Sequence, residues 1–197
     1  MELGKKRLIV GISGASGTVY GIRLLEVLSE LPVTTHLIMT RAAEMTLGYE
    51  TERKITEVRA LADVFHPIND IAAGPSSGSF PTLGMIIAPC SMKTLAEIAT
   101  GVTSNLLTRA ADVTLKERRR LVVVPRETPL HAVHLRNMLT LTDLGAVIAP
   151  PMPAFYARPR DLNEMIDQTV GRLLDLFGLK TGGVRRWRVN ESRRNGG

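Results

Sequence analysis

Leu8-Ile9-Val10-Gly11-Ile12-Ser13-Gly14-Ala15-Ser16-Gly17 decides the fold. An apolar run enters a turn with glycine at every third position, and Tyr20, Leu24, Leu25 and Leu28 follow at helical spacing. Strand, glycine-rich turn and helix in that order open a parallel α/β unit. The turn aims backbone N–H groups and a helix N-terminus at one point, which suits a phosphate. It is not G-x-G-x-x-G, because position 13 is Ser13, and no Gly-Lys-Ser/Thr follows to make a Walker loop. A turn that merely needs glycine explains the same spacing. The hydroxyls of Ser13, Ser16 and Thr18 favour the phosphate.

Outward from this stretch, apolar runs alternate with helical patterns. The spacing predicts strands at 7–12, 34–39, 84–89, 121–125 and 146–149, with a short one at 63–66. Helices are predicted at 19–30, 41–48, 55–62, 91–100, 105–118, 131–144 and 161–177, and a long polar connection at 67–82. Near-continuous apolar strands separated by helices mean a parallel sheet covered on both faces. We therefore expect a doubly wound α/β sandwich, one domain over 1–180 followed by a basic tail at 181–197.

Composition excludes several classes. The single cysteine, Cys90, permits no intrachain disulfide and fits a reducing, cytoplasmic setting. No apolar run reaches the length of a membrane span, and no secretory leader precedes the first strand, so no membrane is expected. The net charge of +6 is concentrated at the end: Arg185, Arg186, Arg188, Arg193 and Arg194 against Glu191 carry +4 of it. With aromatics at only 4%, base-stacking platforms are not expected, and nucleic acid is disfavoured as a partner.

Ligands of such sheets lie beyond the carboxyl ends of the strands. Those ends read Gly11–Gly17, Thr40-Arg41, Pro89-Cys90-Ser91-Met92-Lys93-Thr94, Pro125-Arg126-Glu127-Thr128 and 151–156. The second strand ends without the carboxylate that a dinucleotide's ribose usually meets, so a mononucleotide is favoured over NAD. Ser91 and Thr94 either serve a ligand or simply cap a helix. Arg109, Lys116, Arg126 and Arg172 are read as basic residues near the rim, able to hold a second phosphate. Arg109 and Lys116 lie seven apart, on one helical face. His131 and His134 lack further ligands nearby, and no metal is expected. Cys90 reads as a small buried residue at a strand end.

Several of these stretches together resemble the flavin prenyltransferases, the UbiX/Pad1 family once called aromatic acid decarboxylases. They are Gly14-Ala15-Ser16-Gly17 with Tyr20-Gly21, Ser77-Gly78-Ser79, Pro89–Leu95, 109–118, 124–129 and 151–156. The resemblance runs from about Lys6 to Trp187. It implies a flavodoxin-like Rossmann fold with FMN. It implies metal-independent transfer of a dimethylallyl group from dimethylallyl phosphate to N5 and C6 of reduced FMN. The product, prenylated FMN, serves a UbiD-type decarboxylase in ubiquinone biosynthesis or aromatic acid breakdown. By motif, Gly14, Ala15, Ser16, Thr40, Ser91, Met92, Lys93, Thr94 and Arg126 would bind FMN. Arg109, Lys116, Tyr156 and Arg172 would grip the prenyl phosphate. Ser16, Glu50, Lys116 and Glu127 would carry the chemistry. The family forms homo-oligomers, typically dodecamers with shared sites, and the tail with Trp187 reads as an arm toward a neighbouring subunit. Where some members place Trp before Ser-Gly-Ser, this chain has Ile71. Competing readings are an FMN-binding accessory subunit, a direct aromatic-acid decarboxylase and a flavin-binding cysteine decarboxylase. The last expects a Pro-Ala-Ser-Ala-Asn-Thr signature, which Pro89–Thr94 replaces.

Overall fold

The structure, a computed structural model, describes residues 6–182 and 184–187. The chain divides into two compact units, Met1–Pro151 and Met152–Gly197. The first contains β1 (Lys6–Ile12), α1 (Thr18–Ser29), β2 (Val33–Met39), α2 (Arg41–Glu50), α3 (Ile55–Ala60) and β3 (Val64–His66). It continues with β4 (Gly84–Cys90), α4 (Met92–Ala99), α5 (Leu106–Lys116), β5 (Arg120–Pro125), α6 (Ala132–Asp143) and β6 (Val147–Ile148). The second unit holds a 3-10 turn at Phe155–Ala157 and α7 (Leu162–Asp175).

All six strands are parallel, in the order β3-β2-β1-β4-β5-β6. Without the three-residue β3 this is the flavodoxin order, so the expected doubly wound sheet is present with one added edge strand. The winding reverses between β1 and β4, and their carboxyl ends are where such folds bind ligands. Apolar side chains on both faces of the central strands explain the continuous runs: all of β4 and the last five residues of β1 are buried. One face of the sheet, through Ile9, Met85, Ile87, Leu121 and Val123, packs with Leu95, Leu107, Ala110 and Leu141 of α4, α5 and α6. On the other, a Cβ at Gly21 of α1 would lie 2.4 Å from the Ala88 carbonyl oxygen and 2.7 Å from Ile12.

Most element boundaries shift by a residue or two from expectation, and two of the shifts bear on the strand ends and the rim. The predicted strand at 146–149 is ordered as a strand only over Val147–Ile148; the Ala149 N–H still reaches the Val123 carbonyl (2.8 Å), and the next residue whose N–H would face β5 is Pro151, which has none. The helix expected to stop at Gly48 runs on to Glu50. Its last turn is closed by the Thr51 N–H on the Leu47 carbonyl (3.0 Å), and that extension sets where Glu50 falls.

A histidine pair, His36 buried and His66 half-buried, joins the two strands at one edge. His36 Nδ1 and His66 Nε2 are 2.9 Å apart, and Phe80 meets His36 edge-on at 5.1 Å. His36 Nε2 is buried with no partner, which favours leaving it a bare lone pair and putting the proton on Nδ1, donating to His66. Burial, then the nearness of His66 and Arg7, outweighs Asp63 and lowers His36 to about 4; burial lowers His66 as well. A histidine that protonates more readily unfolded than folded loses stability as pH falls from its unfolded value toward its folded one. Urea unfolding is thus expected to show about 1–3 kcal/mol less stability at pH 5 than at pH 7. In His36→Phe that difference should shrink by at least about half, and an unchanged pH slope in the variant would overturn the assignment.

Candidate active site

The carboxyl ends of four strands are stitched together by backbone. Thr40 N–H donates to the Ile12 carbonyl (3.0 Å), Ser13 N–H to Pro89 (3.1 Å) and Arg126 N–H to Cys90 (3.2 Å). The Ser13 hydroxyl donates to the Pro89 carbonyl (3.2 Å) and accepts from Ser91 N–H (2.7 Å). One rim therefore carries Gly14, Ala15, Ser16, Thr40, Ser91, Met92, Lys93, Thr94, Arg126 and Glu127, as expected of their positions after β1, β2, β4 and β5. Ser13 is fully buried and its hydroxyl is spent on this stitch, so it does not serve a phosphate as the sequence suggested.

The glycine turn approaches α2 closely. A Cβ at Gly14 would lie 2.3 Å from that of Ala42, so only glycine fits. Gly17 caps α1 with φ +102°, in the left-handed region that favours glycine. No side chain of α1's own start caps it, and no acid occupies its first turn. The Glu50 carboxylate takes both parts. It accepts from Gly17 N–H (3.0 Å to each oxygen), Thr18 N–H (2.9 Å) and the Thr18 hydroxyl (2.8 Å), with the Ser16 hydroxyl also bonded to it. Burial alone would raise this carboxyl; the bonds from Ser16, Thr18 and Gly17 outweigh it and hold it below the ordinary carboxylate value. Thr18, expected to offer its hydroxyl to a phosphate, offers it to Glu50 instead.

The start of α4 is different. Ser91 caps it, accepting from Thr94 N–H (3.2 Å), with no acid in the first turn. Lys93 projects outward, its side chain 76% exposed, and pairs with Glu97 (2.7 Å). This helix start, open at the rim beside a lysine, fits a nucleotide phosphate; the N-terminus of α1 is already filled. Thr40 caps α2 through Ala43 N–H (3.1 Å). Arg126 and Glu127 are exposed at the end of β5, Glu127 accepting from Thr128 N–H (3.0 Å). Cys90 is fully buried and its thiol is pushed up to about 12 by burial, which leaves it inert.

Lys116 does not lie at the rim. Helices of a wound sheet run against the strands, so α5 ends where β5 begins. Lys116 pairs there with Glu117 (2.5 Å), both against Gly78, where a Cβ would meet them at 2.8 and 2.3 Å. Arg119 donates to the Gly78 and Phe80 carbonyls (2.6 Å each), and Leu83 N–H to Arg7, the second residue of β1. This corner is the amino end of the sheet, about 20 Å along a seven-residue strand from the rim. Arg109, about 10 Å back along α5, bonds the Ser76 carbonyl (3.2 Å) and Asp112 (2.7 Å) rather than the rim residues. The predicted shared face of Arg109 and Lys116 exists, and it faces the 76–80 loop. Sequence reasoning missed Arg119, whose clamp on that loop had no signal beyond a run of three arginines.

In the second unit, Tyr156 meets Trp187 edge-on at 5.7 Å. Arg172 pairs with Asp175 (2.7 Å), which Arg186 also holds (2.8 Å). Buried Gln168 accepts from Arg185 N–H (2.9 Å) and donates to its carbonyl (3.0 Å), so the start of the basic tail is tied to α7. Gly183 and residues 188–197 of that tail lie outside the described residues. His131 caps α6 with Nδ1, accepting from Val133 N–H (3.2 Å), and stacks on His134 at 3.5 Å. Among the described residues no three metal-ligating side chains cluster, and no helix is long and apolar enough to cross a membrane.

A parallel sheet whose central strand ends meet at a switch point defines a flavodoxin-like fold, and the family model named Flavoprotein matches residues 1–174. The chain is 60% identical over 175 residues to the flavin prenyltransferase UbiX of Escherichia coli K12, covering 88% of this chain and 93% of that one. It superposes on the crystal structure of AnUbiX (PadA1) in complex with FMN and dimethylallyl pyrophosphate with a TM-score of 0.92 at 56% identity, covering 93% and 97% of the two chains. A dodecameric FMN-dependent UbiX-like decarboxylase from E. coli O157:H7 gives 0.91 at 51% identity, covering 92% and 99%. The chain belongs to the UbiX/Pad1 family of flavin prenyltransferases.

Proposed function

We propose that this protein transfers a dimethylallyl group from dimethylallyl phosphate to N5 and C6 of reduced FMN, giving the prenylated flavin used by a UbiD-type decarboxylase. The observation that supports the reading is the stitched rim, where the residues assigned to FMN by motif follow the strand ends beside the Ser91-capped start of α4, whose first turn carries no acid. Reduced FMN supplies the nucleophile. Gly14, Ala15, Ser16, Thr40, Met92, Thr94 and Arg126 orient it, and Ser91 and Lys93 receive its phosphate. As the allylic C–O bond breaks, charge builds on the departing phosphate, and cationic groups lower that barrier. Arg109, Lys116 and Arg172 supply them, with Tyr156 offering a ring face to the allyl cation. Glu127 holds or releases the proton at that phosphate, and Ser16 and Glu50 flank the reacting end of the flavin.

Lys116 lies some 20 Å from the rim of its own chain, so the site is completed by a neighbouring copy in a homo-oligomer. Leu130, Val133, Leu135, Leu139 and Leu144, exposed by 42–61% on and around α6, support such assembly. A dodecamer is the form we favour, because a relative of this length and fold is dodecameric. We read 1–180 as one flavoprotein domain with 181–197 as its tail, since the family match runs past Pro151 to residue 174. A reducing, cytoplasmic setting fits the lone thiol.

Anaerobic incubation with reduced FMN and dimethylallyl phosphate, followed by the flavin's mass, tests the activity. The flavin should gain one five-carbon unit, and Ser16→Ala should lose most of that gain. Bound but unmodified FMN would instead point to an accessory flavin carrier.

A further inference from the structure

We infer that Glu50 is a specificity-determining residue: its carboxylate is a built-in anion that bars a dinucleotide's pyrophosphate from the α1 N-terminus. Two independent observations converge. The first is electrostatic. The start of α1 lies at the switch point, where dinucleotide folds seat their pyrophosphate on free N–H groups. Here Gly17 N–H and Thr18 N–H, with the Thr18 hydroxyl, already donate to Glu50 at 2.8–3.0 Å. The carboxylate arrives from 32 residues away, while α1 itself brings neither a capping side chain nor an acid to its first turn. Glu50 also stands at the last turn of α2, with no basic residue there, where a negative charge is unfavourable to its own helix. What it bonds on α1 is what holds it there.

The second observation is steric. A dinucleotide runs from the first turn toward the end of the second strand. In this chain Ala42, in the first turn of α2, is pressed against Gly14 so closely that a single methyl would not fit. Thr40, at the end of β2, spends its hydroxyl on the Ala43 N–H. Charge closes the phosphate position and packing closes the path to a second nucleotide half, which leaves a mononucleotide whose phosphate goes elsewhere on the rim. The inference does not depend on the prenyl chemistry.

Backbone amide NMR of the full chain without flavin reads the site directly, with inorganic phosphate as probe and sodium chloride at matched ionic strength as control. In the unmodified protein the Gly17 and Thr18 resonances should be nearly insensitive to phosphate. They should move together as acid protonates a carboxyl below the ordinary range. In Glu50→Ala, phosphate should shift both resonances at least about tenfold more than in the unmodified protein. Glu50→Gln, which keeps the size and removes the charge, gives the same comparison if the alanine variant does not fold. Equal phosphate shifts with and without Glu50, or a folded variant that ignores phosphate, would overturn the proposal. The prenyl-transfer reading could stand in either case, because that reaction is assayed separately by flavin mass.

Discussion

Lys116→Ala and Glu127→Gln are each expected to slow prenyl transfer by about a hundredfold or more. Combined in one assembly, they should regain about one quarter of the normal rate. Glu127 stands at the carboxyl end of β5, and Lys116 at the end of the helix that leads into the start of that same strand. One chain cannot present both to one small phosphate across the length of the sheet. If neighbouring copies meet with the rim of one against the α5 corner of the next, a randomly mixed oligomer has both residues intact at one site in four. Co-expression with two purification tags isolates the mixed species, and the flavin's mass gives the rate. Mixed assemblies as inactive as either parent would show that Lys116 acts within its own chain or not on the reaction at all.

Gly21→Ala should have the largest effect on folding, a loss of about 2–4 kcal/mol. An alanine normally improves a helix interior by about 1 kcal/mol. At this position its methyl would stand 2.4 Å from the Ala88 carbonyl oxygen and 2.7–2.8 Å from Ile12. The obstacle is partly backbone, so α1 would have to lift from β1 and β4, and with it the turn that builds the rim. Gly48→Ala in α2 is the matched control, because nothing lies within 4 Å of the added methyl. It should stabilise by about 0.5–1 kcal/mol. Urea unfolding of the two variants should therefore move in opposite directions, and a common sign would mean that the contact at Gly21 relaxes freely.

The sheet was legible because β1, β2, β4 and β5 are buried on both sides and so lack the alternation that obscures a half-exposed strand. The helix starts were legible for a local reason: Ser91, Asn105 and Asp161 each cap the helix that follows with the expected side chain. The rim followed from the winding rule, which places every strand's carboxyl end on one side. What the residues could not disclose was long-range. Glu50 meets Thr18 across 32 positions, and no local pattern marks it as the cap of α1. The Arg109–Lys116 periodicity gave the correct face of α5 but not which end of the sheet that face serves. The histidine pair spans 30 positions and joins two strands whose adjacency only the fold supplies.

The brevity of the outer strands has a consequence for solubility. An open sheet exposes unpaired amides and carbonyls along its borders, and long, flat borders recruit other chains into fibrous stacks. Here one border is the three-residue Val64–His66 and the other the two-residue Val147–Ile148, the latter running into Pro150-Pro151. Little backbone remains for an intruding strand to zip onto. Copies of this protein can thus crowd together through helix faces without their sheets fusing, and ordered assembly is separated from aggregation.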